Sequence, residues 1–196
     1  MSNASSGSRE RLLDRVEDIL FEHRPQMLSM REIAQRLGMK AASLYYHADG
    51  KEDLFRQVIR RSIERNRDEL AAVIDSADPV IAEKLEAIGL WLLQPAPMNL
   101  IHTIREDVSK MNRELSVELS RETHEALIRP IERVFDEYQR NKTIRPVSSA
   151  LLAGSFLAVL DGIWYATNEH VPREQGPAMV RQMVDVFLNG LLNPEG

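Results

Sequence analysis

Apolar residues recur every three or four positions along almost the whole sequence, and no segment alternates apolar and polar residues as a strand would. Such spacing is the period of an α-helix that buries one face. The first example is a set of aliphatic residues that would share one helical face: Leu12, Leu13, Val16, Ile19 and Leu20. With similar segments continuing to the end of the sequence, we predict an all-α protein of about nine helices.

Residues that begin and end helices divide the start of the sequence. We expect Ser8 to be the N-cap of the first helix. This helix should end near Arg24, because Pro25 disfavours a helical conformation in the residue before it. Ser29 and Glu32 have the spacing of a capping box, in which a hydroxyl and a carboxylate each accept a hydrogen bond from a backbone N–H. The sequence therefore predicts that a second helix starts directly after Ser29.

A glycine turn and a short polar helix follow. Gly38 should end the second helix, since glycine readily adopts the left-handed conformation found just after a helix. A third helix is predicted over residues 41–47, and a fourth begins near Lys51. Two short helices around a tight turn are typical of a helix-turn-helix, whose second helix enters the major groove of DNA. Only Leu44 is an aliphatic anchor in the third helix, and its small, hydroxyl and aromatic neighbours favour contact with DNA.

Three blocks of this region resemble the signature of the TetR family of transcriptional regulators. They are residues 30–39 (MREIAQRLGM), 43–47 (SLYYH) and 51–54 (KEDL). The resemblance implies an N-terminal three-helix helix-turn-helix DNA-binding domain, residues 9–55, that extends into the fourth helix. It also implies a C-terminal helical domain for ligand binding and dimerisation, residues 56–196. Regulation of transcription by such a protein is most often repression that a small molecule relieves.

The resemblance also implies which residues face DNA. These are Arg31, Ser43, Tyr45, Tyr46, His47 and Lys51, with Leu44 holding the recognition helix to its support. We add Lys40 for its charge and Ala41 for its small size. Two positions depart from the family pattern. Lys40 replaces a serine or threonine N-cap and so forgoes about 1 kcal/mol of capping, while Ala48 replaces a bulky apolar residue and makes the angle of the recognition helix less defined.

Charge and composition limit which partners and which cellular location are expected for the protein. Although the net charge is −5, residues 9–67 hold 13 Lys and Arg against 10 Asp and Glu, so the excess of acid lies elsewhere. A basic N-terminal part fits a nucleic-acid partner. The absence of cysteine excludes disulfides, and with no signal-peptide pattern it favours a cytoplasmic location. The longest uncharged run, residues 146–160, is shorter than the ~20 residues of a membrane span, and residues 1–8 read as a disordered N-terminus or cloning scar.

Residues that cap or interrupt helices also occur in the C-terminal part of the sequence. Asp78 followed by Pro79 is expected to start the fifth helix as N-cap and first residue. Pro130 interrupts a long apolar stripe and should kink its helix, because proline lacks a backbone N–H. Ser148 or Ser149 is expected to cap the next helix.

A ligand pocket and a dimer interface are predicted in the C-terminal part. Aromatic, methionine and histidine side chains are the candidates for the pocket: Trp91, Met98, His102, Met111, Phe156 and Trp164. The last two helices carry more apolar residues than one helix pair would bury, which favours a homodimer. The candidate interface residues are Leu152, Phe156, Leu160, Val184, Phe187, Leu188 and Leu191.

Two other classes of function stay open at this point. A helical-bundle metalloenzyme would need Glu-x-x-His motifs on two helices, and no histidine has a glutamate three residues before it. His102 and Glu106, one helical turn apart, form at most a partial metal site. A helical protein-interaction adaptor without DNA function is the other alternative. We expect no cofactor, no metal and no catalysis, and we expect three partners: operator DNA, a second copy of the chain and a small-molecule effector.

Overall fold

The computed structural model describes residues 3–22 and 28–189, although it does not describe the side chains of residues 96–99 or those near the ends of α1. Within these ranges there are nine helices and no strand, as predicted. Their bounds are α1 Asn3–Glu22, α2 Met30–Arg36, α3 Ala41–Tyr45, α4 Lys51–Ser76, α5 Ile81–Leu92, α6 95–111, α7 113–140, α8 Ser149–Glu169 and α9 Gly176–Asn189. A short 3₁₀ turn, Arg173–Gln175, precedes α9.

Two of these helices contain a wider π-helical turn. In α6 it is Thr103–Val108, and in α7 it is His124–Ile128. The second one lies directly before Pro130, which occupies the first turn of the following α-helical segment Arg129–Arg140. The predicted disturbance of the helix at this proline therefore takes the form of a π turn, a known way in which a helix accommodates an interrupted hydrogen-bond ladder.

The chain divides into two compact units. The N-terminal unit comprises residues 1–65 together with 99–123, and the C-terminal unit comprises 66–98 together with 124–196. The predicted boundary after residue 55 lies inside α4, and the N-terminal unit also includes a segment from the middle of the chain. That the DNA-binding domain ends at residue 55 and the ligand-binding and dimerisation domain begins there stays a prediction.

The core of the N-terminal unit is built on the apolar face predicted for α1. Leu13, Val16, Ile19 and Leu20 are buried in one cluster with apolar residues of α2, α3 and α4, and Leu12 packs at its edge. The predicted N-cap Ser8 is wrong, because α1 begins at Asn3 and Ser8 lies inside the helix. The predicted helix end at Arg24 lies outside the described residues.

The C-terminal unit is held by close packing of α5 and α9 and by an aromatic cluster. A Cβ atom on Gly89 of α5 would lie 2.7 Å from Cγ1 of Val180 on α9, so only glycine allows this approach. Beside it, the rings of Phe135, Phe156 and Phe187 have centroids 6.0–6.4 Å apart. Such tilted and edge-on contacts are the favourable arrangement for aromatic rings in a core.

The helix starts of this unit agree only in part with prediction. Ser148 is the N-cap of α8 and accepts a hydrogen bond from the backbone N–H of Leu151, as expected. The start of α5 is two residues later than predicted, with Val80 as N-cap. Asp78 accepts instead from the N–H of Val80, at 3.1 Å, in a turn before the helix.

Helix α8 is apolar on more than one side. It has 21 residues, of which an 18-residue stretch has a mean hydropathy of 1.4, and by length and composition alone it would suffice to cross a membrane. A core helix of a globular protein passes the same test, and Leu152, Phe156 and Leu160 of α8 are buried in the C-terminal unit.

Candidate nucleic-acid interface

The second helix starts with the predicted capping box. The backbone N–H of Glu32 donates to Oγ of Ser29 at 3.3 Å, and the N–H of Ser29 donates to Oε2 of Glu32 at 2.7 Å. Hydrogen bonds that the Glu32 carboxyl group accepts from the side chain and the backbone of Ser29 lower its pKa below the ordinary value of 4.5. The start of α2 is therefore set by local polar contacts that the sequence itself specifies.

The turn after α2 depends on the backbone conformation of one glycine. Gly38 has φ +69°, in the left-handed region, and the next residue Met39 donates its N–H to the carbonyl of Ala34 at 2.9 Å. A Cβ atom on Gly38 would meet nothing within 4 Å, so the requirement for glycine comes from the dihedral angle and not from space. This turn redirects the chain from α2 into α3.

The recognition helix α3 is short and has one buried side chain. It covers Ala41–Tyr45, two residues fewer than predicted, and only Leu44 is buried, with no exposed surface. Lys40 is the N-cap and its side chain makes no capping hydrogen bond, as expected from its replacement of serine or threonine. Ala48, the other departure from the family pattern, is buried in the same cluster as Leu44.

The side chains around Leu44 point away from the core. Tyr45 is 54% exposed and Tyr46 88% exposed. The ring of Tyr46 is stabilised in this position by edge-to-face contact with the ring of His47, whose centroid is 5.4 Å away. The remaining members of the predicted DNA face are also accessible: Arg31, Lys40 and Ser43 are exposed, and Ala41, His47 and Lys51 are half-buried.

Lys51 occupies the first position of α4. Its Nζ lies 5.6 Å from the centroid of the Phe55 ring, and partial burial lowers the pKa of its ammonium group while the charge of Glu32 opposes that shift. A cation at a helix N-terminus adds its charge to the positive end of the helix dipole, which makes this position suited to an anion such as a phosphate.

The arginines of α4 contribute less to a basic surface than the sequence suggests. Arg60 forms ion pairs with Glu118 and Glu122 at 2.5 and 2.7 Å. Arg65 forms a two-pronged pair with Glu17, at 2.6 and 3.0 Å. Segment 99–123 adds five acidic against four basic residues to the N-terminal unit. The basic residues on the predicted DNA face are Arg31 of α2, Lys40 directly before α3 and Lys51 at the start of α4.

The predicted ligand-pocket residues do not fall in one unit. Trp91 and Phe156 are buried and Trp164 is half-buried in the C-terminal unit, where the indole N–H of Trp91 donates to Oε2 of Glu69 at 3.3 Å. His102 and Met111 belong to the N-terminal unit. The side chain of Met98 lies outside the described residues. A ligand site made of these six residues stays a prediction.

The residues predicted for the dimer interface are mostly core residues. Leu152, Phe156, Leu160, Val184 and Leu188 are all buried within the C-terminal unit of a single chain, at most 8% exposed, so they offer little surface to a partner. Their part in a dimer stays a prediction. Their apolar periodicity reflects packing of α8 and α9 against their own unit. Phe187 is half-buried, and Leu191 lies outside the described residues.

The opposite sides of α8 and α9 are also apolar. Leu151 of α8 is 61% exposed and Val186 of α9 is 73% exposed. Between the two helices runs an open groove of about 370 Å³, lined by Val159, Ile163, Met179, Met183, Val186 and Phe187 among others. Among the predicted interface residues that the structure describes, Phe187 alone lines this groove, and the others lie on the buried side of the same helices.

Comparison with known proteins agrees with this architecture. Residues 18–58 match the family described as "Bacterial regulatory proteins, tetR family". No curated protein matches the chain in sequence.

Solved structures that are similar to the chain cover nearly all of its length. A protein from Saccharomonospora viridis, solved in complex with choline, is 18% identical with a TM-score of 0.78, over 96% of this chain and 99% of its own. A transcriptional regulator from Rhodococcus sp. Rha1 is 21% identical with a TM-score of 0.73, over 94% and 97%. AibR, solved in complex with isovaleryl coenzyme A and operator DNA, is 19% identical with a TM-score of 0.71, over 91% and 96%. Residues 18–58 are thus an N-terminal domain of the TetR family of bacterial regulatory proteins, and the chain as a whole has the fold of the regulators it resembles.

Proposed function

We propose that the protein is a sequence-specific DNA-binding regulator of transcription, most simply a repressor. The observation that carries this proposal is the composition of α3, where one fully buried leucine holds a helix whose tyrosines are 54% and 88% exposed. Two neighbouring aromatic side chains that are both mostly exposed form a patch of the kind that marks an interaction surface. In a helix-turn-helix the same helix enters the major groove, so duplex DNA is the partner that explains this exposure.

Each exposed side chain has a role that its chemistry allows. Ser43 and Tyr46 would donate hydroxyl hydrogen bonds to phosphates, and Tyr45 would reach a base edge or a thymine methyl group. Arg31 and Lys51 would bind phosphates from α2 and from the N-terminus of α4. None of these groups is placed to carry out a reaction, and we assign the protein no catalytic role.

A homodimer would bring two recognition helices to one operator. Helix-turn-helix dimers bind half-sites about one helical turn of DNA apart, roughly 34 Å, or multiples of this spacing. The surface we assign to the dimer is the apolar groove between α8 and α9, which Val186 lines, together with the exposed Leu151 near the start of α8. Gly154 and Gly162 are exposed on α8 with open space above them, so a partner helix could approach closely there.

A small molecule bound by the C-terminal part would control DNA binding. Support comes from AibR and from the Saccharomonospora viridis protein, which were solved with isovaleryl coenzyme A and with choline. The ligand would act by favouring one spacing of the two recognition helices, with a coupling of about 1–3 kcal/mol. Isothermal titration of choline and of an acyl-coenzyme A, with and without operator, measures this coupling, and equal affinities in both cases would exclude it for those ligands.

Selection of bound DNA from a random duplex pool tests the proposal as a whole. We expect one enriched sequence with two-fold symmetry, because a symmetric dimer reads a palindrome. Enrichment of no sequence above the starting pool would contradict DNA-specific regulation and leave the adaptor interpretation. Enrichment of an asymmetric half-site would retain DNA binding and contradict the dimer. Such a DNA-binding regulator would act in the cytoplasm.

A further inference from the structure

The side-chain amide of Gln57, on α4, connects three parts of the N-terminal unit. Its Nε2 donates to the backbone carbonyl of His47 at 3.2 Å and to Oδ2 of Asp53 at 2.9 Å. Its Oε1 accepts from Nη2 of Arg9, on α1, at 2.7 Å. One side chain therefore links the end of the recognition helix to both α4 and α1.

The recognition helix needs a contact of this kind at its C-terminal end. With five residues, α3 is far shorter than a helix that is stable by itself, and its last carbonyls have no partner within the helix. At its N-terminal end Lys40 provides no side-chain cap. Leu44 is the one buried side chain of α3, and the small side chains of Ala41 and Ala48 pack against the same cluster. A hydrogen bond to the carbonyl of His47, two residues after the helix, adds a polar contact that fixes the direction of its end.

The network around Gln57 also holds the loop into α4. Oδ2 of Asp53, which accepts from Gln57, accepts in addition from the backbone N–H of Asp49 at 3.1 Å. The loop between α3 and α4 is thereby tied to the same pair of side chains as the end of α3. Gln57 and Asp53 are both partly buried, whereas Arg9 is exposed. The hydrogen bond to His47 is therefore better shielded from water than the hydrogen bond from Arg9, which orients the amide.

From this geometry we infer that Gln57 is a positioning residue for the recognition helix, setting the direction in which α3 is presented to DNA. The inference rests on the proposed function, since it concerns the same interface. It adds a residue that lies behind the interface, three positions after the block 51–54 that resembles the family signature, where the sequence pattern assigned no role. Gln57 acts through the backbone of α3, so it shapes base recognition without touching a base.

Replacement of the amide tests the inference in the full-length protein. In Gln57→Ala we expect operator affinity to fall about three- to tenfold, the usual worth of a lost hydrogen bond. Affinity for random duplex DNA should change less than about twofold, because the phosphate-binding cations are untouched. The control is Gln94→Ala, an exposed glutamine outside this unit, which should change neither affinity. Equal losses on operator and random DNA would overturn the positioning role.

A second variant separates the contact of Gln57 with Arg9 from its contacts with His47 and Asp53. Gln57→Glu keeps an acceptor for Arg9, with added charge, but cannot donate to His47 or Asp53. If the contact to His47 positions the helix, this variant should discriminate operator from random DNA as poorly as Gln57→Ala. Wild-type discrimination in Gln57→Glu would overturn the inference. The added negative charge weakens binding to both DNAs, so the ratio of the two affinities is the quantity to compare.

A double-mutant cycle and a measurement without DNA complete the test. Arg9→Ala should reduce the discrimination between operator and random DNA in the otherwise wild-type protein and have no further effect in Gln57→Ala, because Arg9 acts through Gln57.

In the free protein, hydrogen exchange of the α3 amides should quicken in Gln57→Ala and not in Gln94→Ala. Unchanged exchange would overturn the role of Gln57 whatever the DNA results. A wild-type protein that selects no sequence would instead overturn the proposed function, and this inference with it.

Discussion

The recognition helix α3 and the long helix α8 differ in how much of their surface is apolar. In α3 one aliphatic residue, Leu44, lies among polar, small and aromatic residues, and this residue alone is buried. In α8 aliphatic residues occur on several sides, and the structure buries Leu152 and Leu160 while Leu151 stays 61% exposed. A periodic pattern identifies the inward face of a helix only when the opposite face is polar. The four predictions below test this difference.

The largest effect is expected at Phe156, which the sequence placed in a dimer interface and the structure places in the core. Phe156→Ala should lower the free energy of unfolding by about 3–5 kcal/mol, because it leaves a cavity between Phe135 and Phe187. Urea denaturation at a fixed protein concentration measures the change. A variant that unfolds like the wild type but no longer dimerises would restore the original interpretation of this face.

At Leu44 we expect a somewhat smaller loss of stability together with loss of function. Leu44→Ala should cost about 2–4 kcal/mol as a buried leucine truncation. The matched variant Tyr46→Ala, two positions along and 88% exposed, should change stability by no more than about 0.5 kcal/mol. Both should weaken operator binding, which fluorescence anisotropy measures. If Tyr46→Ala destabilised the protein as much as Leu44→Ala, the exposed tyrosine would be part of the core.

Charges on the exposed apolar face of α8 and α9 test the proposed dimer surface. The double variant Leu151→Glu with Val186→Glu should be monomeric in sedimentation velocity, since like charges brought together across an interface cost several kcal/mol. Its helix content by circular dichroism should be unchanged, because both side chains are exposed. The control is Asn189→Glu, which adds a negative charge at an exposed position of α9 that does not line the groove and should leave the protein dimeric. A double variant that remains dimeric would show that the partner binds elsewhere.

The smallest effect concerns acid stability of the capping box. The pKa of Glu32 is lowered in the folded state by hydrogen bonds from Ser29, so its ionised form stabilises the fold. This contribution is complete above the ordinary value of 4.5 and is lost as the pH falls through the lowered pKa. Glu32→Gln retains a hydrogen-bond acceptor but does not titrate. Stability measured across this range should fall less steeply in Glu32→Gln, and identical profiles would contradict the role of Glu32.

Local features of the N-terminal unit were predicted well because each depends on neighbouring residues. The capping box of Ser29 and Glu32 and the left-handed Gly38 are set by residues at most a few positions away. The start of α1 and the start of α5 were predicted less well. Ser8 lies inside a helix and Asp78 lies in a turn, since a residue suited to a cap takes that role only where the surrounding chain ends the helix.

In the candidate site, too, contacts between neighbouring residues were predictable and contacts between distant residues were not. The sequence indicated which side chains surround Leu44, but it assigned no role to Gln57, because a glutamine on a helix resembles any solvated surface residue. Its role depends on the carbonyl of His47, ten residues away, and on Arg9, 48 residues away. Contacts between residues so far apart in the chain leave no periodic signal.

By itself, the sequence determined the helical class of the protein, the helix-turn-helix and the residues that surround its buried leucine, because short-range periodicity, capping and turn chemistry act within a few residues. Only the tertiary structure decided which side of α8 and α9 faces inward, and which distant side chains hold the recognition helix in place. Both sides of these helices could be buried with similar gain in apolar contact. The choice depends on how α5, α7, α8 and α9 pack together, as at Gly89 and Val180, where two distant helices fit only because one residue lacks a side chain.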